Sequence, residues 1–148
     1  MAGKLFSEED DRHYVSLLQE NINRMALNSA NCKTWLVTIL AALLAIQASL
    51  PELRGLVWIA LIPTILFYFL DSYYLGLERR LIKIEERFVT EKKAGNDTTQ
   101  FQYDFNVKGI MTDCKAIFFA MGSTSTWLFY LTIIAIVILI GKGIILFV

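Results

Sequence analysis

The sequence has little with which to do chemistry. Its 148 residues include one histidine, His13, and two cysteines, Cys32 and Cys114. These make no zinc-ligand spacing and no disulfide framework. Neither sign of charge is in excess, with 14 basic against 14 acidic side chains, so no basic face is offered for direct contact with nucleic acid. A phosphate-binding glycine loop is missing, and no nucleophile, acid and base can be grouped. The chain therefore reads as a non-enzyme that needs no cofactor. It also lacks the opening of a signal peptide, because its first apolar run follows 33 mostly polar residues.

Apolar side chains are plentiful. Hydrophobic residues make up 55% and charged residues 19%. That is too apolar for an ordinary soluble domain of this size and too charged for a plain membrane plug. Three stretches suit a bilayer, which needs about 20 apolar residues to cross. Thr34 to Pro51 carries no charge, Gly55 to Leu77 carries only Asp71, and Ala116 to Gly141 carries none. Only Pro51-Glu52-Leu53-Arg54 joins the first two, which forces an antiparallel hairpin. Four lysines and arginines precede the first stretch (Lys4, Arg12, Arg24, Lys33), one lies in the turn (Arg54), and eight lie between Glu78 and Lys115. Positive residues gather on the cytoplasmic side. This predicts a cytoplasmic N-terminus, an outward-facing turn and an outside C-terminus.

Before the first span, Ser7 followed by Glu8-Glu9-Asp10-Asp11 reads as an N-cap with an acidic first turn. Tyr14, Leu18, Met25 and Cys32 then recur at helical spacing, diluted by asparagines. This predicts an amphipathic helix running into the span and docked on a neighbour. After the second span, Tyr74, Leu77, Leu81, Ile84 and Phe88 repeat at intervals of three and four among charged residues. The second span should thus continue as a cytoplasmic helix to about Lys93, where Ala94-Gly95-Asn96-Asp97 stops it. Phe101, Tyr103, Phe105 and Val107 alternate with polar residues, as an extended linker or a short strand would.

The expected fold is an all-α integral membrane protein forming an oligomeric bundle. Its parts are an N-terminal amphipathic helix over 1–33, a two-span hairpin with a long cytoplasmic helix extension over 34–93, a cytoplasmic linker over 94–115 and a third span over 116–148. The stripe Leu77, Leu81, Ile84 and Phe88 must bury against something, and self-association or a partner protein would cover it. Two readings stay open for Asp71, which lies roughly 24 Å inward from Gly55 at 1.5 Å per residue. It could form a charge ring at the mouth of a pore built by several copies, or pair with Lys33 at the base of the first span. Pro63 removes a bond to the carbonyl of Ile59, which predicts a kink serving packing or gating. Lys142 interrupts the third apolar run, as a snorkelling or a pore-lining lysine would.

Asn21-Ile22-Asn23-Arg24-Met25 ahead of a tight hairpin, and the exit Leu70-Asp71-Ser72-Tyr73-Tyr74-Leu75-Gly76-Leu77-Glu78-Arg79-Arg80, form a familiar combination. Over about residues 10 to 93 the chain resembles the SLATT-type small membrane proteins of bacteria, which are encoded with anti-phage systems. The third span is a departure from their two-span core. The resemblance implies a pore-forming or membrane-disrupting defence effector in the bacterial inner membrane, a homo-oligomer released by a cytoplasmic sensor. The other functions to weigh are a membrane-anchored scaffold that docks a soluble enzyme and a small transporter subunit.

Overall fold

A computed structural model describes residues 8–50, 52, 55–96, 98 and 121–143. The Ser7 cap, most of the hairpin turn, the alternating segment from Phe101 to Val107, Cys114 and the start of the third apolar stretch lie outside these residues. Everything regular among the described residues is helical, with no strand.

The first helix, α1 (Glu8–Ser49), runs unbroken for 42 residues, roughly 63 Å at 1.5 Å per residue. Its acidic first turn, Glu8 to Asp11, stabilises the positive end of the helix dipole. One face stays buried along its length, through Tyr14, Leu18, Ser29, Cys32, Leu36 and Leu40. The opposite face changes character. Glu9, Arg12, Glu20, Asn23 and Arg24 are exposed in its first half, and Trp35, Val37, Ile39 and Ile46 in its second.

After the turn, α2 (Leu56–Ile59) is a single turn of helix, and α3 (Leu61–Lys93) carries the chain back for 33 residues. The break between them answers to Pro63. Without an N–H, Pro63 cannot bond the Ile59 carbonyl; α2 ends at that residue, and Ala60 closes a tighter turn onto Val57 at 3.1 Å. Pro63 thus sits in the first turn of α3, where a missing donor costs little. The expected kink is an interruption. At the far end Gly95 adopts φ +77°, and its N–H bonds the carbonyl of Lys92 at 3.1 Å, the left-handed stop that glycine permits.

The last helix, α4 (Thr124–Gly141), lies antiparallel to α3. At its start the Tyr68 hydroxyl donates to the carbonyl of Met121 at 3.1 Å, and Arg79 donates to Ser123 Oγ at 2.8 Å. At its end Gly141 lies under Trp58 of α2, so close that a Cβ there would sit 2.7 Å from the indole. Between these points the Tyr130 hydroxyl donates to the carbonyl of Phe67 at 3.1 Å.

Two apolar clusters result. Leu36, Leu40, Val57, Ala60, Tyr130, Val137 and Ile140 form one, where α1, α2, α3 and α4 meet. Tyr14 and Leu18 pack on Leu81 and Phe88 in the other, with the Tyr14 and Phe88 rings edge to face at 4.9 Å. Two structural units, α1 and the α2–α3 stretch, are long and apolar enough to cross a membrane, and the apolar part of α4, Thr126–Gly141, is shorter.

Candidate functional site

A polar layer separates the two apolar clusters. It is built where the buried face of α1 passes Ser29 and Cys32 and the buried face of α3 passes Asp71 and Ser72. Residues three and four apart share a helix face, so Ser29 continues the line of Leu18, Ile22 and Met25. Asp71 follows Thr64 by seven residues, two turns along α3. Both segments therefore bring polar side chains to the seam at the same level.

Asp71 is completely buried. The Ser29 hydroxyl donates to its Oδ1. Its Oδ2 lies 2.8 Å from Lys33 Nζ, a contact between charges without the alignment of a hydrogen bond. Lys33 also donates to Ser29 Oγ at 3.4 Å, which closes a three-membered cluster. The Lys33 side chain keeps a quarter of its surface exposed, so the cation reaches solvent while the anion does not. Ser72 is equally buried, and its hydroxyl returns to the Tyr68 carbonyl at 2.7 Å. Cys32 lies just ahead of the charge-free stretch. Burial pushes its thiol up from the ordinary value, and the nearby Asp71 carboxylate adds to this.

Asp71 thus faces α1, and pairing with Lys33 is what the geometry displays. A ring of free carboxylates at a pore mouth finds no support, because this carboxylate is enclosed within one chain. The stripe on α3 is likewise accounted for internally. Phe88 and Leu81 are buried and Ile84 half-buried against α1, and Leu77 is half-buried. The need to bury that face is met by the chain's own N-terminal helix and calls for no second copy. Pro63 is half-buried at the α2–α3 break, away from the polar layer in sequence and in role. Lys142 is exposed and caps α4, its N–H bonding the carbonyl of Ile138 at 3.0 Å; Gly143 follows with φ +68°. The layer gathers Asp71 alone from the candidates and adds Ser29, Lys33 and Cys32 to it.

Two further ties cross the α1–α3 seam in its charged half. Gln19 donates to Glu85 at 3.0 Å, and Lys92 pairs with Asp11. Among the described residues no group of three or more histidine, cysteine or acidic side chains is placed to hold a metal ion, and His13 is exposed on the outer side of α1. The arrangement can hold charge and fix the register of two helices.

Compared with known proteins, the chain matches no family, no curated protein and no solved structure.

Proposed function

We propose that this protein is a multi-pass protein of the bacterial inner membrane, its N-terminus in the cytoplasm and its C-terminus outside. It acts as a homo-oligomeric effector that permeabilises or depolarises the membrane when a cytoplasmic sensor or defence partner engages it. One observation carries the membrane part of this reading. Among the described residues, seventeen of the eighteen large apolar side chains left exposed fall between Trp35 and Leu70 or between Trp127 and Leu139, and only Leu27 lies elsewhere. A monomeric soluble protein rarely exposes a continuous apolar surface of that extent. In lipid the same side chains need no cover. α4 then serves as the third span, with Lys142 at the outer headgroups.

In this reading the polar halves of α1 and α3 form a closed stalk in water, and its outward charges receive the partner. Copies would associate through the outward faces of the spans, since the α3 stripe is already occupied. The effector activity rests on the resemblance of the hairpin and its aspartate–tyrosine–tyrosine exit to the defence-associated family. Conductance of the purified protein in planar bilayers, with oligomeric mass measured in parallel, tests it. Discrete or graded ion currents from an oligomer support the reading, and an inserted, non-conducting protein refutes it.

A second reading is favoured by the enclosure of Asp71, which leaves no free acid inside the spans for a pore. The protein would then be a membrane-anchored scaffold whose stalk docks a soluble enzyme. Its mark would be co-purification of a soluble protein without ion leakage.

A further inference from the structure

An open cleft of about 200 Å³ runs between α3 and α4, lined by Thr64, Ile65 and Tyr68 on one side and Trp127, Tyr130, Leu131 and Ile134 on the other, with the Thr64 hydroxyl turned back to the Ala60 carbonyl. Ile65, Trp127 and Leu131 are exposed at its mouth, so it opens toward the surroundings of the spans. Its inner wall is fixed. The Tyr68 and Tyr130 rings meet edge to face at 5.3 Å, and each hydroxyl is tied to a backbone carbonyl, of Met121 and Phe67 respectively. Neither ring can swing in to fill the space without giving up its hydrogen bond. From Trp127 to Ile134 the cleft extends about 10 Å along α4. It suits a flexible hydrocarbon and nothing polar.

One charge stands at the cytoplasmic end of this cleft. Arg79 is exposed, and its guanidinium donates to Ser123 Oγ, one helical turn before Trp127. A hydroxyl does not neutralise it, and among the described residues no carboxylate is paired with it. An apolar cleft ending at a guanidinium that has a hydroxyl and no carboxylate as its partner among the described residues is complementary to one kind of molecule, an acyl chain joined to an anionic headgroup. The planar fork of arginine suits phosphate oxygens.

Resting on the membrane placement above, we propose that the α3–α4 cleft is a binding site for an anionic phospholipid, with one acyl chain against Tyr68 and Tyr130 and the phosphate on Arg79. The site makes the attachment of α4 to the hairpin depend on the lipid, because the same residues that hold the lipid also hold α4.

The test uses the full chain with Trp35→Phe and Trp58→Phe, leaving Trp127 as the sole tryptophan. The protein is reconstituted in phosphatidylcholine vesicles that contain either chain-brominated phosphatidylglycerol or chain-brominated phosphatidylcholine, and quenching of Trp127 gives the relative binding constant. The expected preference for phosphatidylglycerol is about fivefold, the effect of one basic residue at a membrane surface. Arg79→Gln should bring the ratio close to one, and Arg79→Lys should keep most of it. A ratio near one in the parent, or a preference that survives Arg79→Gln, overturns the proposal. Weak quenching by both lipids together with a dimeric mass would mean that a second copy fills the cleft, and overturns it too. Failure of the protein to float with vesicles of either composition would instead refute the membrane placement itself.

Discussion

Removing Lys33 should harm the protein far more than removing its partner. In Lys33→Met the aliphatic stem is kept, but the Asp71 carboxylate stays fully buried, bonded by the Ser29 hydroxyl and stripped of its counter-ion. Leaving a buried charge without its counter-ion costs about 3–5 kcal/mol, a large share of a typical total of roughly 5–15 kcal/mol. Asp71→Asn is milder. Its amide oxygen still accepts from Ser29, and Lys33, a quarter exposed, turns to water or headgroups. The Ser29 bond falls from charge-assisted to neutral, a loss of about 1–1.5 kcal/mol, and the charge contact with Lys33 goes with it. The double variant carries neither charge, so it should be more stable than Lys33→Met alone, with a coupling of at least about 2 kcal/mol. Denaturant titration in micelles, followed by the circular dichroism of the helices, measures all four proteins. Equal losses from the two single variants, or strictly additive losses, would refute the view that Asp71 depends on Lys33.

Other outcomes follow from the packing. Phe88→Ala should cost about 3–5 kcal/mol and raise hydrogen exchange in the first turns of α1 as well as at the end of α3, with oligomeric mass unchanged; a change in mass with no new exchange in α1 would return the stripe to an intermolecular role. Gly141→Ala places a methyl against the Trp58 indole and should shift the tryptophan emission while costing about 1–3 kcal/mol; an unchanged spectrum would mean that the two helices do not meet there. Cys32, whose thiol is buried and pushed up in pKa, is less ionised at pH 8 than a free thiol, so in a Cys114→Ala background it should alkylate slowly when folded and rapidly once unfolded. In a protein without Cys32 and Cys114, a cysteine at Asn96 should be shielded from an impermeant reagent added to intact spheroplasts while one at Glu52 reacts; the reverse pattern would invert the topology.

Helix placement was legible in the sequence because the signals were local. The acidic turn at Glu8–Asp11, the glycine at 95 and the proline at 63 each act within a few residues of where they stand. Pairing of the stripe was legible only in half. The regular spacing of Leu81, Ile84 and Phe88 announces a buried face but not its partner, and the answering residues, Tyr14 and Leu18, lie more than sixty positions earlier among dispersed asparagines. Ser29 gives no signal of its own for a related reason. A serine between Asn28 and Ala30 looks like a solvated residue, and its burial follows only from its phase with Leu18 and Leu36. Asp71 was singled out by its charge, yet what it does depends on which way it faces. That is set by the register of α1 on α3, a property of two distant segments.

In the proposed membrane placement, one seam of buried residues runs from water into lipid while the outer face of the helices changes from polar to apolar. Nitroxide labels placed singly at the exposed positions Glu20, Asn23, Leu27, Ala30, Thr34, Thr38, Ala42 and Ile46 of α1 test it directly in reconstituted vesicles. Collision rates with a water-soluble nickel complex should be high up to about Ala30 and fall beyond Thr34, while collision rates with dissolved oxygen rise in step. High nickel accessibility persisting through Thr38, Ala42 and Ile46 would contradict the account, because those faces would then be in water.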